Sequence, residues 1–345
     1  MEICWCNLLN GKLPLLLFEN IYSMKAAILH QLGEAPRYGD FPDPVAQNDD
    51  HVVITMKAAA VKNLDKSRAS GSHYSASLLK EPIVVGIDGV GVLEDDTRVY
   101  AMGITGMIAG KAVINKHSYV KLPDHINDVT AAALPNAVLG AAAALRFRAG
   151  IKAGETVLIN GATGVTGMVA VQIAKHYGAR KVIATGRNQH ALEQLLHLGA
   201  DEIISLKGDD ELIMKRLKEI HTSTPIDVVI DYIWGHPAEL VLASLLGKGG
   251  ITHRVRIVTV GGMAGDTIQL SSAVLRSSDI QISGSGLGSI PKHEMQQLFT
   301  EVLPEMLQLA GDGKLKIDTV TAKLEDVETA WSQDVGAGKR LVIVI

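Results

Sequence analysis

Cysteine is almost missing from this chain. Only Cys4 and Cys6 occur in 345 residues, both at the extreme N-terminus. A disulfide framework for the body of the protein is thereby excluded, and so is a zinc site built from thiolates. The shortage suits a reducing compartment, and a cytoplasmic location is expected. The twelve histidines are scattered and form no i, i+4 pair on a helix, so a solvated or core role is expected for each. Basic charge is not in excess either. Thirty-three Lys and Arg stand against 37 Asp and Glu, a net charge of −4, which is the wrong sign for a protein whose main partner is nucleic acid. Apolar runs are short: Leu13-Pro14-Leu15-Leu16-Leu17-Phe18 cannot span a bilayer, and neither the basic start nor the small-residue cleavage site of a signal peptide accompanies it. No membrane association is expected. Repeats and low-complexity tracts are absent.

What is present supports two folded domains. Hydrophobic residues make up 47% of the chain and charged residues 20%, enough apolar material for a sizeable core and too little charge for disorder. From Met24 the text becomes Met24-Lys25-Ala26-Ala27-Ile28-Leu29, a natural first strand after an initiator methionine. Met24 is therefore expected to be the true start, with residues 1–23 an extension outside the fold. Up to about Leu122, short apolar runs (His51 to Met56, Ile83 to Val85, Arg98 to Ala101, Lys111 to Ile114) alternate with turn chemistry at Asp40-Phe41-Pro42-Asp43-Pro44 and Gly86-Ile87-Asp88-Gly89-Val90-Gly91. This predicts a mostly β, barrel-like part.

After Pro123 the rhythm changes. Asp128 to Arg148 is alanine-rich and helical, interrupted at Pro135. Strands at Thr156 to Asn160, Lys181 to Thr185, Glu202 to Ser205, Asp227 to Ile230 and Arg256 to Val260 then alternate with helices at Val165 to Tyr177, Gln189 to Leu198, Asp210 to His221 and Pro237 to Leu246. Continuous apolar strands such as Val157-Leu158-Ile159 suit a parallel sheet covered on both faces, so the central part is expected to be a doubly wound α/β domain. From about Ser283 a helix (Lys292 to Ala310) and strands near Lys316 to Val320 and Arg340 to Ile345 are too few for a third domain and are expected to complete the first.

The sharpest motif is Asn160-Gly161-Ala162-Thr163-Gly164-Val165-Thr166-Gly167, placed where the first of these strands becomes a helix. Gly161 permits a tight turn, Gly164 lets backbone approach a pyrophosphate, and Gly167 lets helix pack close to strand. The N–H groups of the first helical turn, with the helix dipole, are suited to phosphate. A dinucleotide cofactor is expected on Gly161, Ala162, Thr163, Gly164, Val165 and Gly167. An NAD enzyme wants an acid at the end of the next strand, for the ribose 2′-hydroxyl; this chain has Thr185-Gly186-Arg187-Asn188. Space at Gly186 and a planar cation at Arg187 point to a 2′-phosphate, hence NADPH. Tyr177-Gly178-Ala179-Arg180-Lys181 imitates the Tyr-x-x-x-Lys of short-chain dehydrogenases, but Gly178 ends the helix before Lys181, so that match is accidental.

The order of segments resembles the medium-chain dehydrogenase/reductases, and within them the zinc-independent quinone oxidoreductase, or zeta-crystallin-like, branch. Met24-Lys25-Ala26, Ala60-Val61-Lys62-Asn63-Leu64-Asp65, Gly86 to Gly91, Ala132-Ala133-Leu134-Pro135, the glycine motif, Leu198-Gly199-Ala200-Asp201 and Gly313-Lys314-Leu315 carry it. The resemblance implies a Rossmann domain inserted in a mostly β, GroES-like catalytic domain: 24–136 and 284–345 for the catalytic part, 137–283 for the dinucleotide part. It also implies a homodimer, and further cofactor contacts on Asp231 to Gly235 and on Val260-Gly261-Gly262-Met263. Trp234 reads equally as core or as site, and Ser283 to Gly288 as a cofactor contact or a subunit edge.

Departures from the family pattern gather near the expected substrate cleft. Lys62 stands where the family usually has asparagine and its zinc-dependent members have cysteine. Gly140 replaces a common threonine, and the stretch between Gly91 and Lys111 is abbreviated. No metal site is expected, and without a Lewis acid alcohol oxidation is not the expected reaction. Hydride transfer to a small-molecule quinone, enal or enone is. Asn63, Tyr74 and Asn136 are implied as cleft residues and Lys62 as an oxyanion partner; for Tyr74 a loop-packing role stands beside substrate contact. Two alternatives stay open: an NADPH-binding sensor or scaffold without efficient turnover, and an enoyl-thioester reductase.

Overall fold

The computed structural model describes residues 23–72, 79–246 and 253–345. Strands β1 (Ser23–Leu29), β2 (Arg37–Pro42), β3 (His51–Val61), β4 (Ile83–Val84), β5 (Asp88–Val92), β6 (Arg98–Gly103) and β7 (Lys111–Lys121) make up the β-rich part. β1 pairs antiparallel with β2 and β4 in a small sheet. β3, β5, β6 and β7 pair in turn, and β7 returns to β3 through His51↔Asn115 to Thr55↔Lys111, so these four close on one another. Two segments expected as turns are strands. Arg37–Pro42 is an edge strand, where proline costs no ladder bond. Asp88–Val92 lies against β3, because a side chain at Gly89 or Gly91 would fall 2.8 Å from the carbonyl of Ala58 or Thr55.

The second large sheet is parallel throughout. Its strands are β8 (Thr156–Asn160), β9 (Lys181–Gly186), β10 (Glu202–Ser205), β11 (Val228–Asp231), β12 (Val255–Thr259) and β13 (Ile280–Gly284), in spatial order β10-β9-β8-β11-β12-β13. Strand order reverses between β8 and β11, and such a switch point opens a crevice at the carboxyl ends of the strands. β13 was not foreseen; its alternating Ile280-Gln281-Ile282-Ser283 makes a half-covered edge.

The chain end rejoins its beginning. β14 (Asp318–Lys323) runs parallel to β15 (Lys339–Val344), and β15 pairs antiparallel with β3 through Leu341↔Val61 to Val344↔Ala58. Alternation along these strands sorts their side chains. Ala59, Val61, Leu341 and Ile343 fill the barrel. Ala58, Ala60 and Val342 join a core that runs through the alanines of helices α2 (Asp128–Ala133) and α3 (Pro135–Ala142) into Val157, Ile159, Val228 and Ile230 of the parallel sheet. Small side chains let these layers approach closely, so one continuous core ties the two sheets together. Pro135 starts α3 rather than kinking a longer helix, at the first helical position where its missing N–H costs nothing.

Candidate active site

A cavity of about 1170 Å³ lies between the two large sheets, at the carboxyl ends of β8, β9, β11 and β12. Its far wall is Ser332 to Leu341, leading into β15. The glycine turn forms its floor. Gly161 has φ +80°, and a Cβ there would lie 2.5 Å from Ile233 Cγ2. Gly167 opens helix α4 (Val165–His176) against the turn, with an added Cβ only 2.5 Å from the Ala162 Cα. Gly164 differs: nothing lies within 4 Å of its Cβ position, because that direction is the cavity. Gly164 caps α4 without a side chain, and the N–H groups of Val165, Thr166 and Gly167 find no partner within the protein among the described residues. Bare N–H groups at the positive end of a helix, facing open space, fit the diphosphate of a dinucleotide.

A buried polar network holds this turn in place. The Thr185 hydroxyl donates to Asn160 Oδ1 at 2.6 Å and accepts from Gly161 N–H at 3.1 Å. Asn160 Nδ2 donates to Asp231 Oδ1 at 2.9 Å, and the same carboxylate accepts from the N–H groups of Ile233 and Trp234. Burial pushes the Asp231 carboxyl above the usual range, against the opposing pull of those N–H donors. The ends of β8, β9 and β11 are thus stitched together. Trp234 follows with φ +51° and ψ −155°, a backbone state worth about 1–3 kcal/mol of strain for a residue with a side chain. It is half-buried and does not line the cavity, whereas Tyr232 and Ile233 do.

Of the residues nominated from sequence, Gly161, Thr163, Gly164, Val165, Gly167, Gly186, Arg187 and Gly261 line the cavity. Gly186 leaves room for Thr163, whose Cγ2 would lie 2.3 Å from an added Cβ. Arg187 is exposed at the rim and forms no ion pair among the described residues. Four others do not line it. Ala162 is packed beneath the turn, and Thr185 is buried in the network above. Asn188 caps helix α5 (Gln189–His197) by accepting from Ala191 N–H at 3.0 Å. Gly262 sits behind Gly261, close to Gly265 and Asp266.

On the substrate side Asn63 and Asn136 line the cavity, and Tyr74 lies outside the described residues. Gly140 is also there, with an added Cβ 3.3 Å from Thr166 Cγ2. Lys62 does not have the free ammonium expected of an oxyanion partner. It is 2% exposed; its ammonium donates to Asp88 Oδ1 at 2.6 Å and Ala60 O at 3.0 Å and forms an ion pair with Asp65 Oδ2 at 3.2 Å. Burial opposes its charge, but Asp65 and Asp88 outweigh burial and hold its pKa above the usual lysine value.

The zinc-binding dehydrogenase family model matches residues 165–304, the body of the parallel sheet and its helices. The quinone oxidoreductase of Homo sapiens is 29% identical over 260 residues, 72% of this chain and 75% of its own. The mitochondrial enoyl-[acyl-carrier-protein] reductase of Arabidopsis thaliana is 28% identical over 314 residues, 85% of this chain and 79% of its own. The Thermus thermophilus quinone oxidoreductase, solved alone and with NADPH, superposes with a TM-score of 0.77 at 26% identity, covering 93% of this chain and all of that one. These similarities support a quinone oxidoreductase-like protein of the medium-chain dehydrogenase/reductase type.

The substrate end departs from the family pattern. An ammonium clasped by two carboxylates, Lys62 with Asp65 and Asp88, stands at the position where zinc-dependent members carry cysteine. Among the described residues no three His, Cys, Asp or Glu side chains are grouped to hold a metal ion. None of the described helices is long and apolar enough to cross a membrane. Sequence reasoning missed the Asn160–Thr185–Asp231 network and the whole Ser332 to Leu341 wall. An arginine opening the otherwise apolar Leu341-Val342-Ile343-Val344 was the one available hint of the latter.

Proposed function

We propose that this protein is an NADPH-dependent, zinc-free reductase that transfers hydride to a quinone or an α,β-unsaturated carbonyl compound. The observation that carries the reading is the cavity itself, where open Gly164 and the N–H groups of α4 face the crevice and Arg187, without an ion pair among the described residues, stands at its rim. Gly161, Thr163, Gly164, Val165 and Gly167 would hold the diphosphate, and Arg187 the 2′-phosphate, as a planar cation suits a doubly charged group. Val260 and Gly261 would flank the nicotinamide half. NADPH supplies the hydride when bound.

The chain's own work is orientation, exclusion of water and a hydrogen bond to developing negative charge. Asn63 and Asn136 carry amide donors on the cavity wall, suited to an oxygen that gains charge as carbon accepts hydride. Neither can lose a proton, so the proton that completes the reduction comes from water. Lys62 acts indirectly, its donors being spent. The same reading assigns 24–136 with 284–345 to the catalytic part, 137–283 to the dinucleotide part, and the open edge of β13 to a homodimer contact.

A steady-state screen of NADPH oxidation over quinones, enals and enones, with metal analysis of the same sample, tests this. Turnover with none of these acceptors, NADPH binding being intact, would favour the sensor reading; stoichiometric zinc required for turnover would overturn the zinc-free one. The likeness to the Arabidopsis enoyl reductase keeps a second reading in play. Comparing a free enone with its carrier-linked thioester separates the two.

A further inference from the structure

Arg340 is a buried cation that the cavity has to spare. It lines the cavity from β15 and is 8% exposed. Its Nε is enclosed without a hydrogen-bond partner, and no partner within the protein meets its terminal nitrogens among the described residues. A guanidinium carries five donors and cannot shed its charge, so leaving it dry and unpaired is costly unless a ligand completes it. The surroundings narrow the ligand class. Gly338, two residues earlier, abuts the phosphate turn: a Cβ there would lie 2.5 Å from Met168 Sδ and 3.6 Å from the Thr163 carbonyl.

Why the guanidinium stays unpaired is visible beside it. Arg340 sits one residue before Leu341, which pairs with Val61, so it lies next to Lys62 on the sheet face that carries Ala60 and Val342. The nearby acids are Asp65 and Asp88. Asp65 is committed by the N–H groups of Lys62 and Ile87, whereas among the described residues the Asp88 carboxylate takes the Lys62 ammonium at 2.6 Å, with the buried Tyr100 hydroxyl beside it. Remove Lys62, and Asp88 becomes the natural partner of Arg340.

We infer that Arg340 binds a phosphate of the dinucleotide's diphosphate from the wall opposite the glycine turn, and that Lys62 is a positioning residue that occupies Asp88 and so keeps Arg340 free. This rests on the dinucleotide reading above. Both halves are testable by fluorescence titration of the full-length protein with NADPH, and by calorimetry with ADP, which offers the diphosphate without nicotinamide. Arg340→Gln raises the Kd for both at least tenfold, and Arg340→Lys less. Lys62→Met raises the NADPH Kd by a similar factor, and Lys62→Met/Asp88→Asn restores it to within about threefold of wild type, a rescue that a merely structural lysine would not show.

Should Lys62→Met alone fail to fold, Arg340→Gln within the Lys62→Met/Asp88→Asn background replaces it and still costs tenfold. If Arg340→Gln leaves both dissociation constants unchanged while the KM of the acceptor rises, the anion belongs to the acceptor and the inference is overturned. Absence of rescue by Asp88→Asn overturns the role of Lys62. Failure of the wild-type protein to bind NADPH or ADP is a different outcome, which removes the dinucleotide reading and this one with it.

Discussion

Two glycines three residues apart should answer the same substitution in opposite ways. At Gly167 an added methyl meets Ala162 at 2.5 Å from Cα, 2.7 Å from O and 2.8 Å from C, all backbone atoms that no side-chain rotation can move. Overpacking of that kind costs about 1–3 kcal/mol, of which alanine's better helix propensity returns roughly 1 kcal/mol. At Gly164 the methyl meets nothing within 4 Å, and φ −86°, ψ 166° is open to any residue. Gly164→Ala loses about 0.5–1 kcal/mol as a poorer helix cap, largely offset by about 0.4–1 kcal/mol from the stiffer unfolded chain. Its methyl instead occupies the space assigned to the diphosphate. Losing one charge-assisted hydrogen bond there, about 1.5–3 kcal/mol, weakens NADPH binding roughly 10- to 150-fold. The assay is a thermal melt of each variant with and without NADPH, alongside fluorescence titration. Gly167→Ala should lower Tm in the free protein, while Gly164→Ala should keep Tm within a few degrees of wild type and lose the shift that NADPH produces. An unaltered NADPH Kd in Gly164→Ala would refute the placement of the diphosphate.

Other expectations concern the rim, the network beneath the turn and a half-buried histidine. Arg187→Ala should raise the KM for NADPH at least tenfold while leaving NADH little changed; equal effects on both cofactors would remove the 2′-phosphate assignment. Thr185→Val deletes a donor to Asn160 and an acceptor for Gly161 N–H, so stability should fall by about 1–3 kcal/mol and the NADPH KM should rise, measured by denaturant unfolding and steady-state kinetics. His221 is pushed below the ordinary histidine value by burial, and then by neighbouring His253. Because folding lowers its proton affinity, this group should subtract stability as pH falls through the unfolded histidine value near 6.5. An NMR titration that finds His221 at or above that value contradicts it.

Much of this architecture could be read from the chain because its signals are local. β8 and β10 occupy the residues expected, since each is an apolar run bounded by turns. Gly161 and Gly167 announced a turn whose geometry admits no other residue without a clash. The illegible features depend on partners far away in sequence. Gly89 and Gly91 look like turn residues until β3 is placed against them. Thr185 looked like a cofactor contact because nothing in its own segment shows that Asn160 takes its hydroxyl. Lys62 looked available for the same reason, its carboxylates lying three and 26 residues on. In Arg340, a charge at the start of a terminal strand reads as solvent-facing until the cavity is seen beside it.

The pairing of β15 with β3 also sets an order of events in biosynthesis. Val61 receives its partner Leu341 only after a further 280 residues (341 − 61) have been made. Until then β3 presents an unpaired edge on that side, and contacts of such sequence separation form slowly. The parallel sheet has no such wait, since β8 to β13 are supplied in one uninterrupted stretch. The nascent protein should therefore carry a folded nucleotide sheet beside an unfinished barrel. Arg340 arrives on β15 itself, so the cavity acquires its last wall in the step that joins β15 to β3, and a chain lacking residues 334–345 would lose both together.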